Sequence, residues 1–212
     1  MLVNILLIRH GETDSNKKKI IMGHLNVPLN SNGIEQAKSC GKYLKKIFPN
    51  ISAIYSSTLL RAQETITLVV KELNFEASVK YDTSLTERSF GELEGLSVQD
   101  VYSRLLNESG NYDVSIKPPN GESGIDFYKR VSDGIENIIN DKSWDKDGTI
   151  LVLTHGGTIR HILGYLLYDK NNEYNDFPVD AKNCSLTLLS IDKNVENRIN
   201  IKFMNFYQYL VN

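Results

Sequence analysis

Residues 2 to 8 read LVNILLI, an aliphatic run broken once by Asn4, and the run ends in Arg9-His10-Gly11. A strand with one wet face alternates apolar and polar residues. A nearly continuous run is instead the pattern of a parallel strand covered by helices on both faces. Such a strand constrains the rest of the chain: strands must alternate with helices, and a ligand meets the sheet beyond the carboxyl ends of its strands. Arg9 and His10 therefore fall at the rim where ligands bind.

The rest of the chain fits that demand. TILVLTHGG, 149 to 157, is a second buried run and ends in His155-Gly156-Gly157, with a helix expected from about 158 to 168. A helix over 33–47 carries Ile34, Ala37, Tyr43, Leu44 and Ile47 at helical spacing, and Pro49-Asn50 stops it before a strand at 51–55. Ser57 or Thr58 is expected to cap a helix running to Leu73 and carrying Arg61, and a short strand is expected near 79–83. Residues 84–125 are rich in glycine and proline, with one helix expected at 97–108; loops this long in a compact domain usually serve function. Ser123 can cap a helix at 125–141 that buries Phe127, Val131, Ile135, Ile138 and Ile139. Runs at 185–191 and 198–207 suggest an edge hairpin. A single α/β domain over 1–212 follows, three-layered, with a mixed, mainly parallel sheet between helix layers.

A formal charge of -2 provides no basic field for nucleic acid, and Lys17-Lys18-Lys19 reads as a solvated loop face. Cys40 and Cys184 lie far apart with no metal or disulfide spacing, so a reducing, cytoplasmic setting is expected. No basic region precedes MLVNILLI and Arg9 interrupts it, which argues against a leader peptide. No window approaches the roughly 18 apolar residues of a membrane span, so no membrane association is expected.

Three strand ends deliver their following residues to one rim: Arg9-His10-Gly11, Ser56-Ser57 leading to Arg61, and His155-Gly156-Gly157. Arginine presents a permanently charged fork that matches phosphate oxygens, and helix starts after Gly11 and Gly157 would add backbone amides. Neighbouring cations disfavour imidazolium, so one histidine would stay neutral and able to attack phosphorus. A proton donor for the leaving group is then required. Glu87, in LTERSFGELEG, is the first choice, with Glu12 and Glu94 behind it; a carboxyl beside a bound dianion holds its proton more tightly. No HxH or HExxH spacing supports a metal site from His10, His24, His155 and His161. His161 reads as a packed histidine, and Tyr102, Tyr112, Phe127 and Tyr128 as core in preference to cap lining.

These segments resemble the histidine phosphatase superfamily, the phosphoglycerate mutase-like proteins. LLIRHGETDSN is similar to its RHGE(T)xxN signature, PLNSNGIEQAK to PLTxxGxxQA, YSSTLLRAQET to SSxLxRAxxT and LTERSFGELEG to LxExxFGxxEG; NGES and LTHGG complete the order. The resemblance implies a doubly wound fold with a partly helical cap inserted at about 88–147. It further implies a phosphoric monoester hydrolase of the histidine acid phosphatase type, acting on a small phosphorylated metabolite without metal or other cofactor. His10 becomes the phosphorylated nucleophile and Glu87 the general acid and base. Arg9, Arg61 and His155 bind the phosphoryl group, Asn16 supports it, and the backbone near Gly23 and Gly156 lines the pocket. Met22-Gly23 stands where relatives often carry Gln-Gly.

Two other activities fit parts of the pattern. A phosphoglycerate mutase would return the phosphoryl group to a second hydroxyl, but similar mutases carry a longer segment with paired arginines between the acid and the second histidine. Here Arg88, Arg104 and Arg130 are never adjacent, which favours hydrolysis. An inactive phospho-ligand or protein-binding module should lack one of His10, Arg61, Glu87 or His155, and all are present.

Overall fold

The structure is a computed structural model that describes residues 2–73, 78–141, 148–168, 174–192, 194 and 198–210. Six strands form one sheet in the order β3-β2-β4-β1-β5-β6: β1 Leu2–Arg9, β2 Ile51–Ser57, β3 Val79–Asp82, β4 Thr149–Thr154, β5 Leu186–Asp192 and β6 Arg198–Phe206. The first four strands in that order are parallel, and β5 and β6 add an antiparallel hairpin at one edge. The helices are α1 Asp14–Lys17, α2 Ser31–Ile47, α3 Leu60–Leu73, α4 Val98–Ser103, α5 Gly124–Asn140 and α6 Gly156–Leu167.

The aliphatic run of β1 supplies two cores at once. Val3, Ile5 and Leu7 face α5 and α6, whereas Leu6 and Ile8 face α2 and α3. In β4, Ile150 and Val152 join the first set and Leu151 and Leu153 the second. Side chains two apart share a face, so a strand sandwiched between helix layers needs apolar residues at nearly every position.

Some helix faces differ from expectation. On α2 the buried residues are Gly33, Ala37, Cys40, Gly41 and Leu44, while Ile34 and Ile47 are exposed. Close backbone approach selects this face. A Cβ on Gly33 would stand 2.1 Å from the Glu12 carbonyl oxygen, and one on Gly11 would stand 2.6 Å from that of Gly33. Gly11 thus serves to bring the β1 exit against α2, where only hydrogen fits. Helix α4 ends at Ser103, short of the expected 108, because the Asn107 side chain accepts from the amides of Ser109 and Asn111 and folds its own turn. The helix expected to start after Gly11 is the single turn α1, which Thr13 and Asn16 close with a reciprocal capping box.

Within the span 88–147, the stretch ahead of α5 has an apolar cluster of its own, formed by Phe90, Leu93, Val101 and Leu105. Ser123 and Asp126 cap α5, whose apolar face belongs to the sheet core. Among the described residues no helix is long and apolar enough to cross a membrane.

Candidate active site

The pairing of β1 with β4 sets Arg9 opposite Thr154, so the next residues, His10 and His155, leave the sheet side by side. The His10 amide donates to the Thr154 carbonyl at 2.9 Å, and the two imidazole centroids lie 5.1 Å apart. On the other flank of β4, strand β2 ends at Ser57, whose Oγ is 2.7 Å from His155 Nε2. Ser57 therefore supports a histidine and accepts only a long contact from the Leu59 amide, 3.3 Å; the expected capping of α3 by Ser57 or Thr58 gives way to a helix starting at Leu60.

A cavity of about 700 Å³ opens at this rim, and Arg9, His10, Asn16, Gly23, Arg61, Glu87 and Gly156 all contribute to its wall. His155 is the exception: fully buried beside His10 and outside the cavity wall, it keeps a partner-free Nδ1. His10 donates through Nδ1–H to the Gly11 carbonyl at 2.7 Å, which leaves its Nε2 as an unprotonated lone pair. Burial, then Arg61, then Arg9 hold the His10 imidazole well below the usual histidine range, and burial and the same cations do so for His155.

Both arginines are anchored by backbone carbonyls. Arg61, with no exposed surface, donates to Gly23 O at 2.8 Å and Leu25 O at 3.1 Å, and Arg9 donates to Ala181 O at 2.6 Å. The Nε of each is buried with no partner. Burial pushes Arg61 down to about 10, still far above neutrality, so it remains cationic. Gly23 has φ +48°, and that left-handed turn aims its carbonyl at Arg61.

Geometry ranks the three acids. Glu12 receives Asn30 Nδ2 at 2.9 Å and lies outside the cavity wall. Glu94 accepts from the amides of His24 and Phe90, which ties the loop together. Glu87 alone of the three lines the cavity, with Oε2 held by the Gly157 amide at 2.9 Å and Oε1 by the Arg88 amide at 3.0 Å. Two amides expected to face a phosphate are thus occupied: Gly157 N by Glu87, and Gly11 N by Thr65 Oγ1 at 3.0 Å.

Several supporting residues escaped the sequence reading. Asn183 Nδ2 donates to the His10 carbonyl at 3.0 Å and to Asn16 Oδ1 at 3.2 Å. Arg130, on α5, donates to the carbonyls of Thr83, Ser84, Thr86 and Glu87 and pairs with Glu122 at 2.6 Å, fixing the backbone that carries Glu87. His24 Nε2 lies 2.8 Å from the Glu87 carbonyl. Phe127 and Tyr128 are buried as core, but Tyr102 and Tyr112 are partly exposed and face cavities. Among the described residues no cluster of His, Cys, Asp and Glu forms a metal-binding group.

One prediction follows from the neutral histidines. The unfolded chain takes up protons near the ordinary histidine value while folded His10 and His155 resist. Their stabilising effect is complete above about pH 6.5 and is lost as pH falls below it, at about 1.4 kcal/mol per pH unit for each group. Urea midpoints measured from pH 7.5 to 5 should therefore drop more steeply in the wild type than in His155→Asn. Equal slopes would refute the assignment.

The profile of the histidine phosphatase superfamily (branch 1) matches residues 5–202. The chain is 29% identical over 195 residues to the broad-specificity phosphatase YOR283W of Saccharomyces cerevisiae, covering 91% of this chain and 81% of that one. It is 38% identical over 164 residues to phosphoglycerate mutase-like protein 4 of Arabidopsis thaliana, covering 74% and 68% respectively. Among solved structures, mycobacterial glucosyl-3-phosphoglycerate phosphatase Rv2419c with VO3 superposes with a TM-score of 0.77 at 26% identity, covering 96% of this chain and 98% of that one.

Proposed function

Because the chain belongs to the histidine phosphatase superfamily, we propose that it is a phosphomonoesterase that hydrolyses a small phosphorylated metabolite through a phosphohistidine on His10. One observation carries this reading: the Nε2 lone pair of His10, fixed by the Nδ1–H contact to Gly11, stands in a cavity wall with two arginines and with Glu87. In the first step Nε2 attacks phosphorus, the P–O ester bond breaks, and protonated Glu87 gives its proton to the departing alcohol oxygen. In the second, water attacks the phosphohistidine while Glu87 takes the water's proton; the N–P bond breaks and phosphate leaves. Arg9 and Arg61 stabilise charge on the non-bridging oxygens throughout. Asn16, Gly23 and Gly156 shape the pocket, and His155, beside His10 but outside the cavity wall, has a partner-free Nδ1 with which it would meet a phosphoryl oxygen.

The test is a panel of phosphorylated metabolites, including 3-phosphoglycerate and 2,3-bisphosphoglycerate, scored for released phosphate and for isomerisation with EDTA in excess. Release without isomerisation is expected. Isomerisation would establish the mutase alternative, a strict need for added divalent metal would overturn the metal-free chemistry, and no turnover at all would favour a binding module. Glu87→Gln should lower kcat/KM for alkyl phosphates about 10²- to 10⁴-fold and for p-nitrophenyl phosphate far less, because that leaving group needs little protonation. Equal losses on both substrates would remove Glu87 as the proton donor.

A further inference from the structure

A second cavity, of about 250 Å³, branches from the first past Glu87; Glu87, Phe90, Tyr102, Gly157 and Arg160 belong to both walls. We propose that this side pocket receives the alcohol half of the ester and selects a neutral, hydroxylated ring, as in a sugar monophosphate, over a leaving group bearing a second phosphate or a carboxylate. The assignment rests on the hydrolase reading above.

Position is the first argument. A general acid must stand within hydrogen-bond reach of the oxygen it protonates, so the alcohol leaves on the side of Glu87, and the side pocket opens there. The lining is the second. Tyr112, Phe127 and Tyr174 present ring surfaces, as a ring-binding pocket requires, set among polar side chains that a hydroxylated ligand can meet.

Charge is the third. Two cations and two carboxylates line the pocket, and both cations are engaged. Arg160 grips Asp176 with two bonds, Nε to Oδ1 at 2.7 Å and a terminal nitrogen to Oδ2. Arg88 donates to the Glu122 carbonyl at 3.0 Å, the Ile116 carbonyl at 3.1 Å and the Tyr112 hydroxyl at 2.5 Å. A second anion would find Arg160 already paired with Asp176 and Arg88 with all three of its nitrogens donating elsewhere, so neither guanidinium offers it a free edge.

His161 supplies the polar handle. Its Nδ1–H donates to the Gly157 carbonyl at 2.8 Å, so Nε2 is an acceptor; that atom has no partner, and the residue is 6% exposed. Burial keeps the imidazole neutral. A ligand hydroxyl donating to Nε2 would satisfy it, and a pocket built around a hydroxyl discriminates against compounds that lack one.

The experiment compares kcat/KM for a hexose monophosphate with that for propyl phosphate, which has neither ring nor free hydroxyl, and for 3-phosphoglycerate. Wild type should prefer the hexose ester by about tenfold or more, and His161→Leu and Tyr174→Ala should each lower the hexose-to-propyl ratio about tenfold, mainly through KM. His161→Gln, which keeps an acceptor, should recover part of it. A ratio unmoved in both variants, or a wild type that prefers 3-phosphoglycerate or a bisphosphorylated sugar, overturns the pocket assignment and leaves the hydrolase reading standing. Failure of the wild type to release phosphate from any ester overturns the hydrolase reading and this assignment with it.

Discussion

His10→Ala should lower turnover of every ester by at least about 10⁴-fold and abolish the acid-labile, base-stable phosphoryl label that brief incubation with substrate leaves on the wild type. The expected size follows from the site's construction. Thr154 O and Gly11 O fix the His10 backbone and ring, and the two neighbouring guanidiniums keep the imidazole unprotonated. No other histidine is arranged to replace it. His155 is fully buried and outside the wall of the larger cavity, and His161 lines only the side pocket, away from Arg9 and Arg61. His24 is exposed and bonded to the Glu87 carbonyl. A variant that still acquires label would refute His10 as the nucleophile. The substitution also removes a buried group held neutral, so the variant should fold and should lose less stability than wild type as pH falls below about 6.5.

Arg61→Lys should cut kcat/KM about 10²- to 10³-fold although it keeps a positive charge. The guanidinium satisfies Gly23 O and Leu25 O with its terminal nitrogens while its Nε remains unpaired at the site. A lysine has one nitrogen where the arginine has three, so holding the two carbonyls would leave little for a phosphoryl oxygen. Arg61→Met should be worse, by about 10³-fold or more, and should differ in kind. Arg61 is the strongest of the charges that hold His10 neutral. Without it the imidazole protonates more readily, so the acid limb of the kcat/KM profile should move to higher pH in Arg61→Met. A drop in rate with an unmoved acid limb would show that Arg61 binds phosphate without tuning His10.

What the chain states locally was readable without coordinates. The aliphatic runs of β1 and β4 announce strands buried on both faces because burial on both sides leaves no polar alternation, and residues after such strands must emerge at one rim. Arg9, His10, Arg61 and His155 followed from that rule and from the motif order. The α2 face was misjudged because helical spacing weighs Ile34 above Gly33, whereas the 2.1 Å available beside the Glu12 carbonyl excludes any side chain at position 33.

The remainder was decided by tertiary structure, since it depends on partners distant in sequence. Glu87 stands apart from Glu12 and Glu94 because Gly157 N holds its carboxylate 70 residues away and Arg130 fixes its backbone from α5. Ser57 meets His155, Asn183 meets His10, and Arg160 meets Asp176 across a side pocket that no local pattern records. A sequence specifies burial and turn chemistry through neighbours three or four residues away. The identity of a proton donor and the shape of a leaving-group pocket arise only when strand order brings remote segments within hydrogen-bond distance.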